Sequence, residues 1–164
     1  MRALWLASVL VISAAQASAC DIPLMGCTFE GGAKTLKVCL GETDVSYSFG
    51  PTGGTPDLFL SEPITSIDYT TWPGVGSAIW ETITFYNDGY SYEVLAGFER
   101  NPEDPQHFGG ITVRQGEEEI ASLTCDPDSS DFGWDVALFE AKEAAGLCWD
   151  YGRDARWKAC AAQD

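Results

Sequence analysis

The dipeptide Asp88-Gly89 constrains the fold of this chain more than any other short segment. Two runs flank it, residues 79–87 and 90–99, and apolar and polar side chains alternate along both. Asp-Gly is a strong signal for the two-residue type I′ turn that joins antiparallel strands. The turn chemistry and the alternation predict the same register, as a hairpin requires. The pairs on its apolar face are Phe85 with Tyr92, Ile83 with Val94, Ile79 with Phe98 and Glu81 with Ala96.

The rest of the segment from Cys27 to Cys125 follows the same pattern. Short runs of β-branched and aromatic residues are separated by clusters of Gly, Pro, Asn and Asp, which is typical of antiparallel β-proteins. We predict a mainly β fold, an antiparallel sandwich or barrel of about eight to nine short strands. The predicted strands are residues 28–30, 36–40, 45–49, 58–61, 67–71, 79–87, 90–99, 111–115 and 119–125. A turn at Gly116-Glu117 pairs Arg114 with Glu119 and Val113 with Ile120.

A C-terminal helix is predicted after Cys125. Over residues 132–145, Trp134 and Leu138 fall on one narrow arc and Lys142 falls outside it. We expect the helix to pack on the β body through that arc. The capping candidates are Ser129, Ser130 and Asp131 at its start and Gly146 at its end.

The first 19 residues have the pattern of a secretory signal peptide. A short basic start precedes an apolar run, and Ala17-Ser18-Ala19 is a small-residue cleavage signal. We predict cleavage after Ala19, which leaves residues 20–164 as one disulfide-stabilised domain in the periplasm or outside the cell. The alternative is a lipoprotein anchored through Cys20, although Ala17 stands where such signals usually carry Leu. No later segment is apolar enough to span a bilayer.

The chain has six cysteines, an even number that indicates disulfide bonds in an exported protein. A hairpin turn near Ala33 places Cys27 opposite Cys39, and we predict this bond. The remaining pairs are less constrained: Cys125 with Cys148 across the helix, and Cys20 with Cys160 by elimination.

The charge distribution restricts the partners. There are 25 Asp and Glu against 9 Lys and Arg, a net charge of -16, and no basic residue lies between Lys37 and Arg100. This charge distribution disfavours nucleic acids and anionic membrane surfaces as partners, because both require basic patches. The acid-only interval suggests a cationic partner such as a basic protein. The simpler interpretation is a solvated acidic surface that keeps the protein in solution.

Catalytic and metal-binding patterns are weak. His107 is the only histidine and lies in a predicted loop, with no nucleophile or orienting group evident beside it. Glu81 falls on the apolar face of its strand, where burial would raise the pKa of its carboxyl, unless it reaches solvent at the strand end. Residues 126–131 resemble the start of a calcium loop but lack its Gly and Glu, and capping explains the same acids. We predict no metal and no cofactor, because neither zinc-ligand spacing nor a nucleotide-binding motif is present.

Aromatic residues in the acid-only interval give the remaining candidate site. We predict a binding surface formed by Tyr69, Trp72, Trp80, Tyr86 and Glu93, since Tyr and Trp are favoured at interfaces and stack on cations. Trp80 and Tyr86 share the non-core face of their strand. The alternative is that these aromatic side chains belong to the core of a closed or sandwiched sheet.

The sequence therefore favours an exported, non-enzymatic binding or inhibitor-type protein with a cationic partner. A periplasmic hydrolase that uses carboxylates or His107 is one alternative, and a structural envelope protein is another. Small acidic periplasmic inhibitors of lysozyme are comparable in size, compartment and charge, but none of their motifs is matched residue by residue. The identity of the partner and the oligomeric state stay open.

Overall fold

A computed structural model describes residues 20–100, 103–132, 136–152 and 155–161. The predicted signal peptide and Trp134 lie outside the described residues. The described chain is mostly β, with antiparallel sheets, eleven strands and one short helix. The mainly β prediction is confirmed, and of its two alternatives the sandwich is correct.

The first sheet has four strands in chain order, each antiparallel to the next. Its inner face carries alternate apolar residues, which is why these segments form half-buried strands. The strands are β1 (Ile22–Phe29), β2 (Lys34–Leu40), β3 (Asp44–Pro51) and β4 (Leu58–Pro63).

The second sheet has five antiparallel strands, again in chain order. They are β5 (Asp68–Thr70), β6 (Ala78–Asn87), β7 (Tyr90–Glu99), β8 (His107–Gln115) and β9 (Glu118–Thr124). The four residue pairs predicted for the β6–β7 hairpin are all present, and Asp88 and Gly89 both have the positive φ that a type I′ turn requires. In the β8–β9 hairpin Arg114 pairs with Glu119 as predicted, but a bulge pairs Val113 with Ala121 instead of Ile120.

The core lies between the inner faces of the two sheets. The Tyr47 ring of β3 packs against Phe85 of β6, with ring centroids 5.4 Å apart, and against Tyr92 of β7 at 6.0 Å. Ile83 and Val94, which the hairpin register placed face to face, are buried in the same cluster. The inner faces are thus used for packing, and the outer faces are left for other roles.

The predicted turn of the β1–β2 hairpin lies too far along the chain. Its centre was placed near Ala33, about one and a half residues after the centre of the observed turn. The turn occupies residues 30–33, because Glu30, Gly31 and Gly32 adopt left-handed conformations. Phe29 therefore pairs with Lys34, and Cys27 lies opposite Leu36 rather than Cys39.

The predicted Cys27–Cys39 disulfide is wrong, and neither of the two pairings considered for the other cysteines is formed. The bonds are Cys20–Cys39, Cys27–Cys125 and Cys148–Cys160. Cys27 points into the core and reaches the residue that follows β9, so its bond joins the two sheets. The Cys20 sulfur, where the alternative lipoprotein anchor was placed, is bonded to Cys39. Three disulfides indicate an oxidising environment and an exported chain.

The segment that follows Cys125 covers the edge of β1. Gly26 and Asp131 exchange two backbone hydrogen bonds of 3.0 and 2.7 Å. The Asp126 carboxylate accepts hydrogen bonds from the backbone N–H groups of Gly31 and Gly32 and from the Thr28 hydroxyl. These bonds, the one from Gly31 first, lower the pKa of Asp126. Of the acids that resemble a calcium loop, Asp126 therefore holds the β1–β2 turn.

The helix is shorter than predicted. Helix α1 (Ala137–Ala144) has Val136 at its N-cap and no side-chain cap, so none of the predicted capping residues begins it. Gly146 does have the positive φ expected just past a helix. After it come β10 (Leu147–Asp150) and β11 (Arg156–Ala159), a two-stranded hairpin that was not predicted. Leu138 is buried as expected.

Lys142 is also buried, contrary to its predicted place on the polar side of the helix. Its side chain is 1% exposed, and its Nζ donates to the carbonyls of Ile64 and Ile67 at 2.9 and 2.8 Å. The ammonium also lies 5.3 Å from the centre of the Trp157 ring. Burial lowers the pKa of Lys142 to about 8, against the opposing influence of the Asp68 charge. Lys142 thus attaches α1 to the segment that joins the two sheets.

No helix in the described ranges is both long and apolar enough to cross a membrane.

Candidate functional site

The outward-facing side of the five-stranded sheet is the candidate site, called here the outer face. Alternation along β5 to β8 sends every second side chain to this side. All of them except Gly97 are at least partly exposed, so no described element covers the sheet there. The residues are Asp68, Thr70, Trp80, Thr82, Thr84, Tyr86, Ser91, Glu93, Leu95, Gly97, Phe108, Gly110, Thr112 and Arg114.

One end of the outer face is acidic and centres on Tyr86, which is 57% exposed. The Tyr86 hydroxyl donates a 2.8 Å hydrogen bond to Oδ2 of Asp68. The pKa of Tyr86 is raised to about 12, first by partial burial, then by this hydrogen bond and by the negative charges of Asp68, Glu93 and Glu62. Asp68, Tyr86 and Glu93 are called the acidic end, and Glu62 belongs to β4 of the other sheet.

A shallow depression of about 330 Å³ adjoins the acidic end. It lies at the tip of the β6–β7 hairpin and is lined by Tyr86, by residues 87–91 and by Gly116. The depression is open to solvent and borders the acidic end, so a side chain from a partner can enter it beside Tyr86.

Arg114 is the cation of the outer face. Its guanidinium lies 3.6 Å from a Glu93 carboxylate oxygen and 3.7 Å from one of Glu119. All three side chains are partly exposed, so these ion pairs are weak. Their geometry nevertheless demonstrates that a guanidinium can lie against Glu93.

The other end of the outer face is apolar. Trp80, Gly97 and Phe108 form one cross-strand row. A Cβ atom on Gly97 would lie 2.8 Å from Phe108 Cζ and 2.9 Å from Trp80 Cβ, so the missing side chain lets the Phe108 ring extend over β7. Leu95 is two residues before Gly97 on β7 and is 36% exposed. Trp80, Leu95 and Phe108 are called the apolar platform.

The structure separates the five residues predicted to bind. Trp80, Tyr86 and Glu93 lie on the outer face. Tyr69 lies in the core, 1% exposed, and its ring stacks on Trp157 at 5.9 Å. Trp72 lies in the loop before β6, where its indole N–H donates to the Val75 carbonyl at 2.9 Å. The Arg100 guanidinium lies 5.2 Å from the Trp72 ring centre, so this ring already contacts a cation of the same chain.

His107 and Glu81, the two residues considered for the alternative hydrolase, are not adjacent. His107 is exposed and stacks on Phe98 with ring centroids 5.6 Å apart. Glu81 is buried, 7% exposed, rather than solvent-accessible, and it accepts a 2.5 Å hydrogen bond from the Tyr69 hydroxyl. Glu81 pairs with Ala96 and His107 with Phe98, so the strand spacing and rise place their Cα atoms about 12 Å apart. Within the described ranges, no group of three or more His, Cys, Asp or Glu residues is arranged to bind a metal ion.

Three residues of the outer face were missed as site residues: Asp68, Leu95 and Phe108. The β6–β7 register contains the signal for Leu95, because it places this residue opposite Thr82 on the polar side of the hairpin. It also places Gly97 opposite Trp80. Aromatic rings often pack over a glycine on the neighbouring strand. The closeness of Asp68 to Tyr86 depends on the pairing of β5 with β6, which single-strand patterns do not give.

The fold and the site together define a class: a disulfide-braced antiparallel β-sandwich with one uncovered sheet face, acidic at one end and apolar at the other. Comparison with known proteins adds no relative, because no family model, no curated protein and no solved structure matches this chain.

Proposed function

We propose that this protein acts in the periplasm or outside the cell as a non-enzymatic binding protein for a cationic protein, such as a basic lytic enzyme, and that it binds through the outer face. The observation that carries the proposal is the acidic end, where an exposed tyrosine donates a hydrogen bond to Asp68 and Glu93 lies on the neighbouring strand. An aromatic ring beside carboxylates suits a lysine or arginine side chain, through ion pairing and cation–π contact.

The charge of the whole chain supports the same proposal. A net charge of -16 creates a long-range field that steers cationic proteins toward the molecule. Steering alone gives no specificity, which needs groups held in fixed positions. The central strands β6 and β7 hold Tyr86 and Glu93, and the hydrogen bond to Tyr86 holds Asp68.

A hydrolase and a structural envelope protein are the two alternatives to a binding protein. His107 stacks on Phe98 and Glu81 accepts a hydrogen bond from Tyr69, so these contacts do not bring the two residues together as a hydrolase site would. A hydrolase would lose activity on substitution of either residue, and substrate-cleavage assays of His107→Ala and Glu81→Gln variants test that alternative directly.

Binding of the mature chain to lysozyme and to cytochrome c, two basic proteins of unlike fold, tests the proposal by isothermal titration calorimetry. We expect Kd to rise at least about tenfold between 20 and 300 mM salt. At fixed salt, the Asp68→Asn/Glu93→Gln variant should bind about five- to tenfold more weakly.

The matched control is Glu42→Gln/Asp57→Asn, which removes two exposed charges outside the outer face. We expect its Kd to change by less than about twofold, since screening limits the effect of distant charges. A Kd that is unaffected by salt contradicts the electrostatic mechanism, and equal losses for the two variants contradict the location.

A further inference from the structure

We propose that the partner engages the outer face with two kinds of side chain at once: a lysine or arginine at the acidic end and an apolar side chain on the apolar platform. This inference rests on the function proposed above and adds the chemistry of the partner. The occupant is an extended, basic segment of a protein that carries an apolar residue two positions from its basic one.

The spacing of the outer face sets this pattern. Glu93 and Leu95 are successive outward residues of β7, which places them about 7 Å apart along the strand. An extended partner segment presents its residues i and i+2 on one side at the same spacing. A basic residue facing Glu93 therefore brings the residue two positions away onto Leu95.

The residues of the apolar platform lie on three neighbouring strands and are not dispersed over the surface. Single exposed apolar side chains are ordinary on protein surfaces. Here Leu95 faces Gly110 on one side, which has no side chain to cover it, and the Trp80–Phe108 row lies two residues away on β7. Phe59 on the four-stranded sheet is more exposed, at 52%, but faces Ser48 across the strand pair. Leu95 thus lies one outward position from the Trp80–Phe108 row, with Thr82 on its other side, and Phe59 provides the isolated comparison.

Charge complementarity selects among apolar occupants. An apolar segment with neighbouring acids would bring like charges against Asp68 and Glu93, which is unfavourable. A neutral apolar segment would remove water from these carboxylates without supplying a further cation, which costs their hydration. A basic segment satisfies the carboxylates while its apolar residue covers Leu95. Interfaces commonly combine an apolar centre with a charged margin in this way.

Two eight-residue peptides of equal charge test the inference with the mature chain. One repeats Arg-Ser-Leu-Ser and the other repeats Arg-Ser-Ser-Ser, and each is titrated into the isotopically labelled protein at 20 mM salt. We expect both peptides to shift the amide signals of Asp68 and Glu93. Only the leucine peptide should shift those of Leu95 and Phe108 and the indole of Trp80, and it should bind about three- to tenfold more tightly.

Variants of the protein complete the test. Leu95→Ser should abolish the advantage of the leucine peptide, and Phe59→Ser should leave it unchanged; both sites are exposed, so both variants should fold. Equal affinities with shifts only at the acidic end overturn this inference and leave the proposed function standing. The absence of shifts at the acidic end with either peptide overturns both. The leucine peptide could still bind more tightly to Leu95→Ser, or could lose its tighter binding to Phe59→Ser. Either result places the apolar contact elsewhere and also overturns the inference.

Discussion

The two sheets of the sandwich differ in what lies outside their cores. The four-stranded sheet carries attachments: the Cys20–Cys39 bond, the Asp126 contacts with the β1–β2 turn, and the strand-like pairing of Gly26 with Asp131. The five-stranded sheet leaves its outer face uncovered by any described element and places aromatic and acidic side chains there. If the outer face binds the proposed partner, the attachments that stabilise the fold and the binding surface lie on different parts of the sandwich. Variants should therefore affect one property without the other.

The largest effect is expected from removal of the bond between the sheets. Replacing Cys27 and Cys125 by alanine opens a loop with a sequence separation of 98 residues, and should lower the free energy of unfolding by about 4–5 kcal/mol. Replacing Cys148 and Cys160 opens a separation of only 12, and should cost about 3 kcal/mol. Urea denaturation with a fluorescence readout measures both.

Binding of basic proteins provides the second readout for the disulfide variants. While the variants stay folded, Kd for lysozyme should match that of the unaltered chain, because neither bond touches the outer face. A Cys27→Ala/Cys125→Ala variant that is folded but binds more weakly would contradict the separation of stability from binding. A greater loss of stability from the C-terminal pair would contradict the loop-length argument.

The register of the β6–β7 hairpin was predictable because turn and strands are adjacent in the chain. Asp88-Gly89 fixes the loop length, and the alternation fixes the faces, so both signals are local. The β1–β2 hairpin was misplaced because its turn includes Glu30 in a left-handed conformation, which the sequence does not mark. An error of that size moves Cys27 to a different partner.

The disulfides depended on contacts that no local pattern encodes. Cys27 is bonded to Cys125 because β1 and the end of β9 come together across the core. The helix prediction failed at its start for a similar reason: Phe132 is buried in the core cluster instead of beginning a turn. Tyr86 and Glu93 of the acidic end were predictable, because they share one face of the hairpin. Asp68 was not, because it reaches Tyr86 from β5.

Lys142 gives a further test of whether stability and binding can be separated, because its ammonium binds the segment that joins the two sheets. Its pKa is about 8 in the folded chain and 10.5 in the unfolded one, so between these values the unfolded chain binds more protons. Stability should therefore rise as pH increases through this window, by about 1–2 kcal/mol between pH 8 and 9.5. Above pH 10 the raised pKa values of Tyr47 and Tyr86 act in the opposite direction, because their unfolded forms ionise first.

Chemical denaturation at closely spaced pH values measures the effect of Lys142. The Lys142→Met variant should lose the rise, whereas Lys37→Met, which removes an exposed lysine, should retain it. An unaltered pH profile in Lys142→Met would show that another group is responsible. Binding of basic proteins should be nearly the same in both variants, as expected if this attachment serves stability alone.

The smallest expected effect concerns Arg114, the basic residue of the outer face. Arg114→Gln frees Glu93 from an ion pair of 3.6 Å, so a partner's cation no longer competes for it. We expect lysozyme to bind about threefold more tightly at 20 mM salt, with the free energy of unfolding changed by less than about 0.5 kcal/mol. Lys37→Gln removes the same charge from the outward side of the four-stranded sheet and should change Kd much less. If Arg114→Gln weakens binding, the guanidinium itself contacts the partner, and the acidic end is not the part of the outer face that recognises the cation.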